Sequence, residues 1–466
     1  MNVAPLLVLV FVLNSPPAEG GTAEGEASSQ EASQEAPEQA PEQASQQAPP
    51  QGTSFFLGLE AGPLSLPSGT RGGGQDIFAL AVPVARLAHG DTFAIELGAP
   101  LRFRLIDAEP KQAELDYGGH LRREDWDTLS DYGQVLRELS IGRENNVATL
   151  RVHPFEAFTL GEGHLVERYD NQLSPDYHPT GAELTVNAGL ATRVKVVASD
   201  ILAERLFAGE LRLDIGQFVS KEQKNVDRYH AMASVAHDFG RVGEERTQPI
   251  TAVLVSGDAA LYKSESKSFA LFFIGGAGTR VNAGSPDVGG FGGFSIGGDT
   301  GRVNISGRVE ARYEGGNFRF GLFGPSYELA RYSATGLSEK PLAEEHMDQN
   351  LAGYAELKLG VGEDDAVEAM SASATGSVEH FTVGRTDTDF TLALKFPGRR
   401  TFANARVIIV GIGAHPRYSV HAELRQRLVD WFYLWGAGGT VHFPQPDGTL
   451  VPGYTAGAGV GMDFKR

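Results

Sequence analysis

The chain has 466 residues, of which 58 are glycine and 21% are charged, and it contains no cysteine. This composition favours a large all-β protein, and the lack of cysteine excludes disulfide bonds and thiolate metal sites. The formal net charge of −19 argues against a nucleic-acid partner, because phosphate binding needs a concentrated basic face.

The N-terminal residues predict secretion. The apolar run "APLLVLVFVL" has the length of a signal-peptide core and is too short to cross a bilayer as a helix. We therefore predict a signal peptide over residues 1–20. Residues 21–52 are rich in Glu, Gln, Ala and Pro and hold no basic or aromatic residue, which predicts a disordered acidic linker. The folded part is predicted over residues 53–466.

After residue 53, apolar and polar side chains alternate with a period of two in many segments, beginning with "TFAIELGAPLRFRLI". About sixteen such segments, with fourteen or eighteen as alternatives, predict a transmembrane antiparallel β-barrel with lipid outside and a wet interior. A soluble sandwich with a charged outer surface is the alternative. In a barrel, the charged residues opposite the apolar face are predicted to line the pore. They are Glu96, Arg102, Arg104, Glu210, Arg212, Arg308, Glu310, Arg312, Glu423 and Arg425.

A long connection, predicted over residues 107–146, changes to a helical rhythm. Apolar residues recur there at spacings of three and four between Leu129 and Leu139, and acidic residues lie near the start. An amphipathic helix on a barrel loop can enter the lumen or cap its mouth, and five apolar residues favour the lumen. We therefore predict a plug or constriction that includes Asp125, Trp126, Asp127, Asp131 and Arg137.

The same region carries a family resemblance. The stretches "DWDTLSDYGQVLRELSIG" and "FTLGEGHLVERYDNQLSPDYHPTGAELTVNAG" resemble a group of predicted outer-membrane β-barrel proteins of uncharacterised function from Gram-negative bacteria. The matching residues are Asp125, Trp126, Asp127, Ser130, Asp131, Val135, Leu136, Arg137, Leu160, Gly161, Gly163, Tyr169, Asn171, Asp176 and Gly181. The resemblance implies a fold and an outer-membrane location, and it assigns no activity.

Three polar groups are candidates for catalysis or metal binding. They are His164 with Glu167 and Asp170, Asp176 with His178, and His237 with Asp238. Adjacent residues of a strand face opposite ways, so the third group is not a catalytic pair by itself. Because the spacing fits no recognised motif, we predict no catalytic, cofactor-binding or metal-binding residue.

Residues 280–302 are unusually rich in glycine, "RVNAGSPDVGGFGGFSIGGDTGR". They contain no phosphate-loop motif and no strand-to-helix dinucleotide fingerprint. We predict a mobile surface loop here.

The C-terminal stretch "YTAGAGVGMDFKR" has an unbroken apolar face from Tyr454 to Phe464. It resembles the last strand of bacterial outer-membrane proteins, by which the assembly machinery recognises them, although two residues follow the closing aromatic.

Together these features predict a porin-like passive channel for small hydrophilic solutes in the outer membrane. Its predicted partners are membrane lipid, the assembly machinery and the solutes. Two alternatives remain, a plugged structural or adhesive barrel and a hydrolase at the barrel rim, and the oligomeric state stays open.

Overall fold

The computed structural model describes residues 52–69, 73–108, 121–143, 146–189, 191–203, 205–219, 226–242, 245–264, 268–281, 287–333, 341–345, 349–362, 370–396, 398, 400–445 and 449–465. The predicted signal peptide and all but the last residue of the predicted linker lie outside the described residues. So do residues 109–120 and 144–145 of the predicted loop.

β-Strands dominate the described chain. They are β1 (Thr53–Pro67), β2 (Gln75–His89), β3 (Phe93–Gly98), β4 (Leu101–Ile106), β5 (Leu136–Ile141), β6 (Ala148–His153), β7 (Gly181–Ala188), β8 (Thr192–Ala198), β9 (Leu206–Asp214), β10 (Tyr229–Asp238), β11 (Arg241–Val242), β12 (Glu245–Arg246), β13 (Ile250–Lys263), β14 (Phe269–Val281), β15 (Asp287–Asp299), β16 (Val303–Glu314), β17 (Asn350–Val361), β18 (Ser371–Phe381), β19 (Thr386–Lys395), β20 (Thr401–Ile412), β21 (Arg417–Val429), β22 (Phe432–Pro444) and β23 (Leu450–Lys465).

These strands close into a barrel. Strand β1 pairs antiparallel with β2 on one side and with the last strand, β23, on the other. Neighbours otherwise follow chain order, except that β2 is the only described strand with which β4 pairs and that β11 and β12 form a separate hairpin. In the part of the chain that the structure describes, the closed ring therefore has 20 strands. The predicted antiparallel barrel is confirmed, and the predicted number of about sixteen is wrong.

Two segments help to explain the difference in strand number. Leu136–Ile141, predicted as the end of a helix, is strand β5. Asp287–Asp299, predicted within a glycine-rich surface loop, is strand β15 and pairs with both β14 and β16. Glycines interrupt the alternation of β15, because they give neither an apolar nor a polar signal to the sequence pattern.

The prediction of an amphipathic plug helix is also wrong. Residues 121–135 contain two 3-10 helices, Arg123–Asp125 and Leu129–Val135, and lie against the wall, where Leu121 forms a β-bridge with Phe103. Leu129 is 63% exposed and Tyr132 is 53% exposed, so the apolar stripe is not buried in the lumen. The buried residues of the second 3-10 helix are instead polar or small.

The remaining described helices are short: α1 (Ile215–Val219) and α2 (Tyr327–Ala330). Among the described residues, no helix has the length and apolar character needed to cross a membrane.

The two ends of the barrel differ. Because β1 and β23 are antiparallel neighbours, the start of β1 and the end of β23 lie at one end, which we call the terminal end. Connections at this end include short turns such as residues 90–92 and 300–302. The opposite end, which we call the loop end, carries the long connections 107–135, 154–180 and 315–349. Outer-membrane barrels have short turns on the periplasmic side and long loops on the extracellular side.

Candidate functional site

The strands place apolar side chains outside and charged side chains inside. In β16, Val309 is 63% exposed, while Arg308 and Glu310 on either side of it are buried. Adjacent residues of a strand face opposite ways, so Val309 lies on the outer surface of the closed barrel. Large apolar side chains are likewise exposed along other strands, as at Phe273, Leu357 and Leu424. This is the surface that a transmembrane barrel presents to lipid.

Two long connections from the loop end fold into the lumen. We call them the plug, which comprises the described residues 154–180, 315–333 and 341–345. Their apolar residues are buried in one cluster, which includes Phe155, Leu160, Leu165, Val166, Tyr169, Phe318, Phe320, Phe323 and Tyr327. A parallel bridge between Val166 and Phe323 joins the two connections, and the N–H of Gly321 donates to the carbonyl of His164 at 2.9 Å. The barrel therefore has a plug, but not the one predicted.

One side of the plug packs against an apolar inner wall. The wall residues in the same cluster come from β8, β9, β10, β13, β14 and β15, and they are Val197, Leu206, Ala208, Ala236, Ile250, Ala252, Leu254, Ile274 and Phe291. Glycines let the plug approach closely here. A Cβ atom at Gly278 would lie 2.6 Å from the ring of Phe318, and one at Gly289 would lie 2.5 Å from it. Gly278 of β14 and Gly289 of β15 are thus needed for packing of the plug.

Another side of the plug is held by buried charges on β16, β17 and β18. Arg308 contacts Glu167 of the plug, and its Nη2 lies 3.0 Å from the hydroxyl of Tyr354. His164 Nε2 lies 3.0 Å from Glu310, whose other oxygen lies 2.7 Å from Arg312. Buried ions of this kind need partners because leaving water is costly. The predicted row on β16 therefore lies inside the barrel, but beneath the plug and not in open water.

A second group of charges holds the plug against β19 and β20. Arg406 lies 2.6 Å from Asp170 of the plug and 2.8 Å from Asp389 on the neighbouring strand. Burial raises the pKa of Asp170 to about 6, although Arg406 acts in the opposite direction. Burial also lowers the pKa of His164, despite its contact with Glu310. Both residues should therefore titrate differently when the plug is docked and when it is released.

A third group lies around helix α2. Arg331 contacts Asp238 at 2.8 Å and Glu328 at 3.2 Å, and Arg205 lies 3.2 Å from the same Glu328. The hydroxyl of Tyr169 donates to Glu328 as well. These contacts join both parts of the plug to the ends of β9 and β10.

The 3-10 segment carries its own buried cluster around Asp125. Arg102 approaches this carboxylate at 2.6 Å, Arg122 also contacts it, and His178 of the plug lies 3.5 Å away. Although burial acts to raise it, Arg102, His178 and Arg122 together lower the pKa of Asp125 to about 2. The cluster ties the 3-10 segment to both β4 and the plug.

Two polar cavities of about 280 and about 700 Å³ lie beside the plug, along β1–β6 and β20–β23, and Glu96 and Arg137 line both. We call the two cavities together the polar passage. The first lies between β1, β2, β3, β21 and β22, and the second borders the plug at Gln172 and His178. The ionisable residues along both are Glu60, Glu96, Arg102, Arg137, Glu138, Arg151, His153, Glu156, His178, Arg400, Arg425, Arg427 and Asp463.

The structure distributes the predicted pore-lining residues over several places. Glu96, Arg102 and Arg425 line the polar passage, and Glu423 contacts Arg425. Arg104 contacts Asp76 and Asp107, each at 2.9 Å. Glu210 accepts a hydrogen bond from Ser234, and Arg212 lies 3.9 Å from Glu162 of the plug. Arg308, Glu310 and Arg312 lie beneath the plug, as described above.

Of the predicted constriction residues, only Arg137 lines the polar passage. Asp125 and Asp131 are buried, Trp126 is half-buried and Asp127 is exposed. Sequence reasoning missed Glu60, Arg427 and Asp463, which line the passage from β1, β21 and β23. Each of these residues lies on the strand face opposite the apolar residues, and this pattern in the sequence would have indicated that they face the interior.

The candidate catalytic histidines have structural contacts. His164 stacks on Phe291 with ring centroids 3.8 Å apart, in addition to its bond with Glu310. His237 contacts Thr251 at 2.8 Å, whereas Asp238 contacts Arg331 of the plug. The two adjacent residues thus have different partners, as their alternation in β10 requires.

Neither a family model nor a curated protein matches the chain. Solved structures with a similar course include OccAB3 of Acinetobacter baumannii, with 8% identity, a TM-score of 0.35 and coverage of 89% of this chain and 99% of that one. The outer membrane protein opdK of Pseudomonas aeruginosa gives 7% identity, a TM-score of 0.34 and coverage of 89% and 99%. A mutant of the ferric enterobactin receptor PfeA from Pseudomonas aeruginosa gives 9% identity and a TM-score of 0.37, with coverage of 88% of this chain and 80% of that one. Identities and TM-scores this low carry no functional information.

Proposed function

We propose that the protein is an outer-membrane channel that passes small hydrophilic solutes through the polar passage, beside the plug. The observation that supports the proposal is a closed barrel with an apolar outer surface and two cavities lined by charged residues inside it. Charged side chains along a wet interior favour ions and small polar molecules over apolar ones. The proposal assigns no reaction to the protein.

The charges along the passage are nearly balanced. Six arginines face five carboxylates among the described residues that line it, and several are paired, as Arg137 with Glu96 at 3.0 Å and Arg425 with Glu60 at 3.2 Å. Rings of one sign select strongly, and mixed charges do not. We therefore expect a weak preference for anions.

Reconstitution in planar bilayers tests the proposal. The purified protein should give discrete current steps, and a salt gradient should give a small reversal potential of the sign for anions. Arg137→Glu, at a residue that lines both cavities, should change that sign. Arg302→Glu, at an exposed turn outside the passage, is the matched control and should leave it unchanged.

A plugged barrel without transport is the second candidate, because the plug fills the side of the lumen along β8–β20. Folded protein that inserts into the bilayer and gives no current steps would favour it over the channel.

The last strand supports a proposal about the assembly partner. Strand β23 closes the barrel against β1 and exposes Tyr454 and Phe464 on its outer face. We propose that this strand is the one recognised by the outer-membrane assembly machinery. Phe464→Ala should reduce the yield of folded barrel in cells, whereas Phe207→Ala, also on the outer face, should not.

A further inference from the structure

Three strands align ionisable residues in one row near the terminal end of the barrel. In the strand register, His230 on β10 lies directly opposite Asp214 on β9 and directly opposite Asp258 on β13. The side chains of His230 and Asp258 are 5% and 6% exposed, so the row faces the barrel interior. Cross-strand partners of this kind lie close enough for direct side-chain contact.

A fourth residue, Asp227, reaches the row from the connection between β9 and β10. One ligand atom each from Asp214, Asp227 and His230 lie within 4.8 Å of one another. His230 Nε2 lies 3.8 Å from Asp227 Oδ1, too far for a hydrogen bond, and no hydrogen bond to this nitrogen occurs among the described residues. His230, Asp214 and Asp227 therefore each bring one ligand atom to the same small region, where the two oxygens of Asp214 also accept the backbone N–H groups of Gln217 and Asp227.

The second nitrogen of His230 is held by a carboxylate. Its Nδ1 lies 2.7 Å from Asp258 Oδ1. A carboxylate that accepts the Nδ1 proton fixes the tautomer and leaves a free lone pair on Nε2. Metal-binding histidines almost always have such a partner, and it makes the ring a better ligand.

We propose that His230, Asp214 and Asp227 bind a divalent zinc ion, with Asp258 as the positioning residue. One imidazole nitrogen with two carboxylates suits zinc, which accepts nitrogen and oxygen ligands, and water completes the coordination. Calcium and magnesium prefer oxygen ligands alone. The ion would join the ends of β9 and β10 across their connection, on the interior side of the terminal end.

Zinc titration of the full chain in detergent, after treatment with chelator, tests the proposal. The unmodified protein should bind one zinc ion at this site, and heat-modifiable migration in gels confirms that each variant is folded. Asp227 has a φ of 56°, which asparagine tolerates, and its side chain is 66% exposed. Asp227→Asn keeps the size of this side chain and removes the charge of one ligand. It should therefore fold normally and lose the site.

Asp258→Asn should weaken zinc binding by about 10- to 100-fold without removing any ligand. Asp430→Asn, an exposed aspartate at the same end of the barrel, should bind zinc as the unmodified protein does. Failure of the unmodified protein to bind zinc, or equal affinity in the unmodified protein and Asp227→Asn, would overturn the proposal.

Discussion

Replacing Arg308 by alanine should loosen the plug. This guanidinium lies on β16 and contacts Glu167 and the carbonyl of Glu162 in the plug, together with Glu310 at 3.3 Å and Glu356 at 3.7 Å on the wall. It is 7% exposed. Its removal takes away the main cationic link between this part of the wall and the plug.

The expected cost comes from the charges left behind. In the unmodified protein, Glu167 is 5% exposed and Glu310 is 2% exposed, so removing Arg308 takes a cationic partner from two buried carboxylates. Removing one partner of a buried ion pair costs about 3–5 kcal/mol. If the released plug regains its hydration, this cost shifts the equilibrium between docked and released plug by roughly 10²- to 10⁴-fold towards release.

Single-channel recording measures this shift directly. Arg308→Ala should give larger or longer openings than the unmodified protein, and limited proteolysis should cut the plug faster. Adding Glu167→Gln should reverse part of the effect, because it removes the stranded charge. Arg302→Ala, at an exposed turn before the same strand, should behave as the unmodified protein. Identical currents and identical proteolysis in Arg308→Ala would refute the assignment of the plug contacts.

Three further changes have defined outcomes. Val309→Arg, at an outer position that is 63% exposed, should destabilise the folded barrel in vesicles by about 2–4 kcal/mol if it lies at mid-membrane, whereas Val309→Leu should be neutral in urea titrations. The pH dependence of current should depend on two plug residues with opposite signs. Asp170, with its pKa raised to about 6 from 3.8, binds a proton more readily in the docked plug, so it favours docking as the pH falls from about 6 to 4. His164, with its pKa lowered from 6.5, binds a proton more readily in the released plug, so it opposes docking as the pH falls below about 6.5. Acidification should thus increase the current of Asp170→Asn and decrease the current of His164→Gln, each compared with the unmodified channel at the same pH. Gly459→Val should prevent closure of the barrel, because a Cβ atom there would lie 2.1 Å from the carbonyl oxygen of Ala61, and heat-modifiable migration should be lost.

The outward and inward faces of the strands could be predicted from the sequence because each strand alternates locally. Val309 and Arg308 differ by one position and face opposite ways in the structure, as the period of two requires. The barrel follows from many such strands together. The same reasoning failed at Leu136–Ile141, where apolar residues spaced by three or four before the strand hid its alternation.

The plug could not be predicted from alternation, because it is formed by connections. Its signal was a high density of apolar residues in a connection, as in "NFRFGLFGPSYEL", which supplies Phe318, Phe320 and Phe323 and whose short alternation breaks at Phe323. Such residues need burial, and the lumen is the place that a barrel offers to a long loop. The partners of Arg308 depend on that folding, which places the row on β16 beneath the plug and could not be foreseen from the strand alone.

Single cysteines introduced into this cysteine-free chain test most directly whether solutes pass beside the plug. Glu96→Cys lies where the two cavities adjoin, and Val309→Cys lies on the outer surface. A charged, water-soluble thiol reagent should change the conductance of Glu96→Cys and leave that of Val309→Cys unchanged. No change at Glu96→Cys after complete labelling, or a change at Val309→Cys, would contradict a conduction path through the polar passage.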